Sequence, residues 1–138
     1  MMFVDASAIV AILTREPEAD ALADLLEAAL SPITSPIAIF EATLGICRKR
    51  QASVEEAAEE VREFLGLAGV RAVPITDQDA ETALAAFSRF GKGRGHPAQL
   101  NLGLLCLCGG KEQSGYVAVQ GRGLRQDRHL GRPSTVLM

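Results

Sequence analysis

Apolar and polar positions along the first hundred residues fall into blocks that switch period. Met2-Phe3-Val4 is a short apolar run ending at Asp5, and it predicts a buried strand. Ser7 is then expected to cap a helix from Ala8 to about Thr14. Pro17 suits the first turn of the next helix. Leu22, Leu25, Leu26 and Ala29 follow at i, i+3, i+4 and i+7, one helical face. Ser31 to Thr34 predicts a second strand, and Ser35-Pro36 starts a helix running to about Arg50. Ser53 and Glu56 have capping-box spacing. They open a helix whose predicted apolar face is Val54, Ala57, Ala58, Val61 and Leu65. Gly69 closes it, and Val70 to Ile75 predicts a third strand. Thr76 caps one more helix, with Asp77 and Asp79 in a first turn that favours anions. Ala80, Ala83, Leu84 and Phe87 are its predicted buried face.

Apolar strands separated by helices and joined by short connections imply an α/β fold with a central parallel sheet and helices on both faces. Ligands of such sheets sit beyond the carboxyl ends of the strands. The chain has 138 residues, 48% hydrophobic and 22% charged, values of a single globular domain. No linker or internal repeat interrupts residues 1–103. No apolar run reaches the roughly 18 residues of a membrane span, and no basic region precedes the first apolar stretch. Three cysteines, two of them in Cys106-Leu107-Cys108, do not make a disulfide framework. A reduced, cytoplasmic setting is expected.

Charge divides the chain. Residues 1–103 hold nine Lys+Arg and fifteen Asp+Glu, a net of −6; residues 104–138 hold five and two, a net of +3. The acidic body argues against a broad electrostatic nucleic-acid surface. It suits a carboxylate-lined metal site. Two carboxylates stand out. Asp5 directly follows a strand, which places it in the crevice; otherwise it is a helix cap or turn residue. Glu41 interrupts the apolar stretch Ile37 to Leu44, sharing a face with Ile37, Leu44 and Gly45. Such a glutamate either reaches water at a boundary or meets a cation. Hard cations such as Mg²⁺ take oxygen ligands and can activate water at a phosphoryl group.

Three segments in order, MFVDASAIVAIL, SPIAIFEATLGICRKR and GRGHPAQLNLG, resemble a PIN domain and, more narrowly, the VapC-type ribonuclease toxins of toxin–antitoxin pairs. The resemblance covers residues 2–103. It implies a three-layer α/β/α fold, Mg²⁺ or Mn²⁺ in an acidic cluster, and endonucleolytic hydrolysis of RNA by metal-activated water attacking in line. It also implies an RNA substrate, a neutralising antitoxin and a homodimer. Asp5 matches the family's first acidic ligand, Glu41 its second, and Ser7 a small hydroxyl residue with a supporting role.

The pattern departs from the family after Gly103. A third acid is expected next, yet position 104 is Leu, and a further C-terminal acid is unmatched. Residues 104–138 carry six glycines and no periodicity. A reading-frame shift after Gly103 would account for the change. The 27 residues Leu104 to Leu130 can be encoded so that the neighbouring frame reads DCFAYAAAKSSRVTLLFKGEDFAKTDI followed by a stop. That string supplies the missing Asp-Cys helix, an apolar strand and a Gly-Glu-Asp-Phe segment. The final helix and strand of the fold are therefore expected to be lost or distorted. The alternative function is then a degenerate, inactive PIN protein that retains at most antitoxin binding.

Other signals fit bland roles. Gly91-Lys92-Gly93-Arg94-Gly95 lacks the ending and context of a P-loop; as a loop, it offers Lys92 and Arg94 as RNA-phosphate contacts. Arg48-Lys49-Arg50 sits where cations complement a helix C-terminus, a reading favoured over RNA binding. His96 has no partner for general-base work, and Cys106 with Cys108 lacks the spacing and number of zinc ligands. Asp77 and Asp79 read as helix-start residues. A response-regulator-like switch would need an acidic pair around the first strand and a later strand-end lysine, and both are absent.

Overall fold

The computed structural model describes residues 2–90 and 117–119. Strand β1 (Met2–Val4) leads into helix α1 (Ala6–Leu13), followed by α2 (Ala19–Glu27), β2 (Pro32–Thr34), α3 (Pro36–Arg50), α4 (Val54–Leu67), β3 (Arg71–Ala72), α5 (Asp77–Phe90) and β4 (Val117–Val119). The four strands form one sheet in the order β3-β2-β1-β4, and every pairing is parallel. The expected α/β class with a parallel sheet flanked by helices is therefore present. From β1 the chain steps outward through β2 to β3, and β4 lies on the other side of β1. The order thus reverses at β1, and the switch point where open α/β sheets bind ligands falls at its carboxyl end.

The core lies between this sheet and the helices. Ile9 of α1, Ile46 of α3, Val61 of α4 and Val4 of β1 are among the largest fully buried side chains. Each stabilises the fold by about 1.5–3 kcal/mol relative to exposure. Helix α3 packs on both α1 and α4, and α1 also packs on α2. Thr34 is fully buried, and its hydroxyl donates to the Val4 carbonyl at 2.8 Å. That bond ties the end of β2 to the end of β1, one residue before Asp5, and satisfies a polar group that would be costly to bury alone.

Several starts and stops match the residue pattern. Ser35 caps α3, its hydroxyl accepting from the Ala38 amide at 3.1 Å, with Pro36 at the first helical position. The Ser53–Glu56 capping box is complete in both directions. Gly69, at φ +64°, follows α4 in the left-handed conformation that glycine adopts at least cost. Other boundaries differ. Asp5, not Ser7, is the cap of α1, which starts at Ala6. Both side chains can cap; the strand ends so close to the helix that Asp5 alone keeps the extended backbone a cap needs. Pro17 precedes α2, whose cap is Glu18, instead of entering its first turn. The third strand shrinks from Val70–Ile75 to Arg71–Ala72. Beyond that pair the Val73 amide still donates to the Thr34 carbonyl at 2.9 Å, but Pro74 has no amide hydrogen to continue.

Predicted helix faces prove too wide at their edges. Leu22 and Leu26 are buried, whereas Leu25 is 38% exposed; Val54 and Leu84 are exposed as well. Phe87 of the predicted α5 face lies outside the described side chains. So do Lys92, Arg94, His96, Leu104, Cys106 and Cys108, which lie outside the described residues altogether.

Candidate active site

Asp5 follows β1 at the switch point and is half-buried. Its carboxylate accepts from the Ser7 hydroxyl at 2.8 Å and from the Ser7 amide at 3.4 Å. Both bonds reach Oδ2, which fixes the side chain and leaves Oδ1 without a donor among the described residues. Its backbone carbonyl accepts from the Ala8 and Ile9 amides and so opens the helix. Asp5 therefore holds helix α1 and faces the crevice at once. The Ser7 hydroxyl bond holds the Asp5 carboxylate in place.

Glu41 stands in the second turn of α3, exposed, on the side of the helix that meets α1. Of its neighbours, Ile37, Leu44 and Gly45 are half-buried, so the glutamate sits at the edge of the packed face and reaches open space. Gly45 lets that approach happen. A β-carbon there would stand 2.8 Å from Cγ2 of Val10, closer than real β-carbons come to a neighbour. The bare glycine thus brings α3 against α1.

Asp5 and Glu41 line one open cleft of about 680 Å³ between α1 and α3. Ala6, Ser7, Val10, Leu44 and Gly45 also line it, as does Phe40, which is 64% exposed. Glu16, Arg48 and Lys49 line the same cleft. Lys49 forms a salt bridge with Glu16, which connects the end of α3 to the loop before α2. Among the described residues no group of three or more acidic, histidine or cysteine side chains could hold a metal ion. The donor set is therefore two carboxylates, one held by a hydroxyl and one exposed. That set suits Mg²⁺, which is commonly held by one or two carboxylates together with water and substrate phosphate. It does not suit zinc, whose structural sites take four nitrogen or sulfur ligands.

The other acidic candidates have structural roles. The Asp79 carboxylate accepts from the Thr76 amide and hydroxyl, each at 2.7 Å, and is buried at the start of α5. Asp77 occupies the first turn of the same helix. Residue patterns favoured a helix-end role for Arg48, Lys49 and Arg50 over RNA binding and did not show that Arg48 lines the cleft. Arg48 lies seven residues after Glu41, and that spacing is the signal that could have found it.

Residues 2–103 match the family model of the PIN domain. The chain is 38% identical over 102 residues to a VapC ribonuclease of Mycobacterium bovis and to ribonuclease VapC28 of Mycobacterium tuberculosis, in each case across 74% of both chains. A VapC ribonuclease of Rhizobium meliloti is 35% identical over 130 residues, covering 86% of this chain and 92% of that relative. The family match stops at Gly103, whereas the Rhizobium comparison covers more of the chain than residues 1–103 and so continues past it.

Proposed function

The chain belongs to the PIN-domain family, and from that premise we propose that it is an endoribonuclease of the VapC toxin type, neutralised by a cognate antitoxin. The observation that carries this reading is the convergence of Asp5 and Glu41, from two separate elements, on one cleft at the sheet's switch point. Asp5 and Glu41 would hold Mg²⁺ or Mn²⁺. Bound there, the cation would supply water activation and offset charge on the phosphoryl group. Ser7 keeps the Asp5 carboxylate oriented through its short hydroxyl bond. Thr34 fixes the strand end that presents it. The close contact of Gly45 with Val10 sets how near Glu41 comes.

Lys92 and Arg94 are proposed as further RNA contacts. Exposed Leu30, Phe40, Leu67 and Leu84 support protein partners, an antitoxin and a second copy of the chain, covering part of this surface. No helix among the described residues is long and apolar enough to cross a membrane; a cytoplasmic site of action fits an RNA substrate.

Cleavage of RNA with Mg²⁺ by the chain, beside an Asp5→Ala variant, tests the assignment. Cleavage by the wild type alone is expected, and equal background rates from both would sink the reading.

A second reading has its own support. The family match ends at Gly103, immediately before the position where a third acid is expected and Leu104 stands. On that reading the chain descends from an active nuclease through a frame shift after Gly103 and has lost turnover. The gene decides it. Codons for Leu104 to Leu130 that give the Asp-Cys string in the neighbouring frame support the shift, and stops or unrelated residues in that frame refute it.

A further inference from the structure

Three consecutive cations end α3, and the structure gives them three different fates. Lys49 pairs with Glu16. Arg50 reaches Glu60 of α4 at 2.6 Å and the carbonyl of Leu13 at the end of α1. These two lock α3 to its neighbours. Arg48 makes no salt bridge with any described residue, is exposed, and lines the same cleft as Asp5 and Glu41.

Helical geometry explains the division. Successive residues turn by about 100°, so three neighbours must point in three directions. Seven residues make almost two full turns, which returns Arg48 to within about 20° of Glu41's direction and about 10 Å further along the axis. The cleft thus runs from two carboxylates to an arginine without an acidic partner. A helix C-terminus by itself accounts for a cation in the last turn. It does not account for one of three being left in the cleft while the others are paired.

We infer that Arg48 binds a backbone phosphate of the RNA strand, adjacent to the one that a cation on Asp5 and Glu41 would hold, and so sets the strand's position in the cleft. This inference rests on the ribonuclease reading. The guanidinium fork suits phosphate oxygens and stays charged at any working pH. The body of the protein is acidic, so RNA has few attractive surfaces, and one unpaired arginine beside the acidic pair has a large share of the contact. A phosphate contact positions the strand without reading its bases. Arg48 is thus a positioning residue, not a catalytic one.

The test is binding of a fluorescent single-stranded RNA in EDTA, with the salt concentration varied, by the wild type, Arg48→Ala and Arg48→Lys. Arg48→Ala is expected to bind roughly tenfold more weakly at low salt. Its plot of log affinity against log salt should be shallower by about 0.7, the loss of one phosphate contact on a single strand. Arg48→Lys should keep most of the slope. The effect should be the same for RNAs of different sequence. Wild-type binding with an unchanged Arg48→Ala slope overturns the Arg48 assignment and leaves the ribonuclease reading standing. A wild type that binds no RNA in EDTA overturns the Arg48 assignment, and the Mg²⁺-dependent cleavage test judges the ribonuclease reading separately. Thermal melting accompanies each variant: an Arg48→Ala protein that melts well below the wild type places the residue in the fold and not at the phosphate.

Discussion

Asp5 combines two functions that substitution can separate. As the cap of α1 it accepts from the Ser7 amide; as a cleft carboxylate it supplies charge. Asparagine is as good a cap as aspartate but carries no charge, whereas alanine is a poor cap. Asp5→Asn should therefore melt close to the wild type and lose divalent-cation-dependent cleavage. Asp5→Ala should lose that activity and about 1 kcal/mol of stability besides, read by denaturant unfolding. A second residue-scale prediction concerns Gly45. Alanine there gains up to about 1 kcal/mol of helix propensity, but its β-carbon meets Cγ2 of Val10. Val10 is β-branched and stiff within α1, so it yields poorly. Gly45→Ala should be net destabilising by about 1 kcal/mol or more, and Val10→Ala in the same chain should remove most of that penalty, a coupling that a double-mutant cycle measures. Asp5 and Glu41 were both legible as candidates in the sequence, one from its place after a strand and one from its apolar surroundings. The tight contact at Gly45 was not, because a glycine within a helix gives no sign of which neighbour approaches it.

At the scale of elements, caps were easier to read than edges. The α4 capping box is a local pattern, and it formed as its spacing required. Its Glu56 accepts from the Ser53 backbone amide first and the Ser53 hydroxyl second, and these bonds hold its carboxyl below the usual range. Because the folded value is lowered, the contribution of Glu56 is fully present above its unfolded value near 4.5 and fades as pH falls through the lower folded value. Glu56→Gln should thus flatten the acid end of a stability-versus-pH curve, with a small loss of stability at pH 7 that vanishes at low pH. Ser53→Ala should cost about 1 kcal/mol. The exposed Leu25, Val54 and Leu84 were unreadable for the opposite reason. Periodicity gives the centre of an apolar face, whereas its width depends on which neighbour covers it. The strand β4 makes a related point. Val117–Val119 pairs in parallel with Met2–Val4, so a segment beyond the family match supplies a strand beside β1.

The molecule is an acidic α/β body, and among the described residues a mixed-charge cleft opens between α1 and α3. Its net charge of −3 and the −6 of residues 1–103 disfavour broad attachment to RNA, so attraction must be local to the cleft and the tail. The fold class followed from the alternation of strands and helices, because that alternation is itself the signature of a parallel sheet. The switch point was not legible, since strand order does not show in the sequence; it emerged only when β4 settled on the far side of β1. The central claim is that Asp5 and Glu41 act together on one cation to cleave RNA. Its most direct test is the Mg²⁺-dependent cleavage rate of the wild type, Asp5→Asn, Glu41→Gln and the double variant, measured side by side. Residues that act as a unit are not additive. Each single variant should fall to the rate seen in EDTA, and the double variant should fall no further. Single variants that cleave as fast as the wild type, or a wild type whose rate EDTA leaves unchanged, would contradict the account.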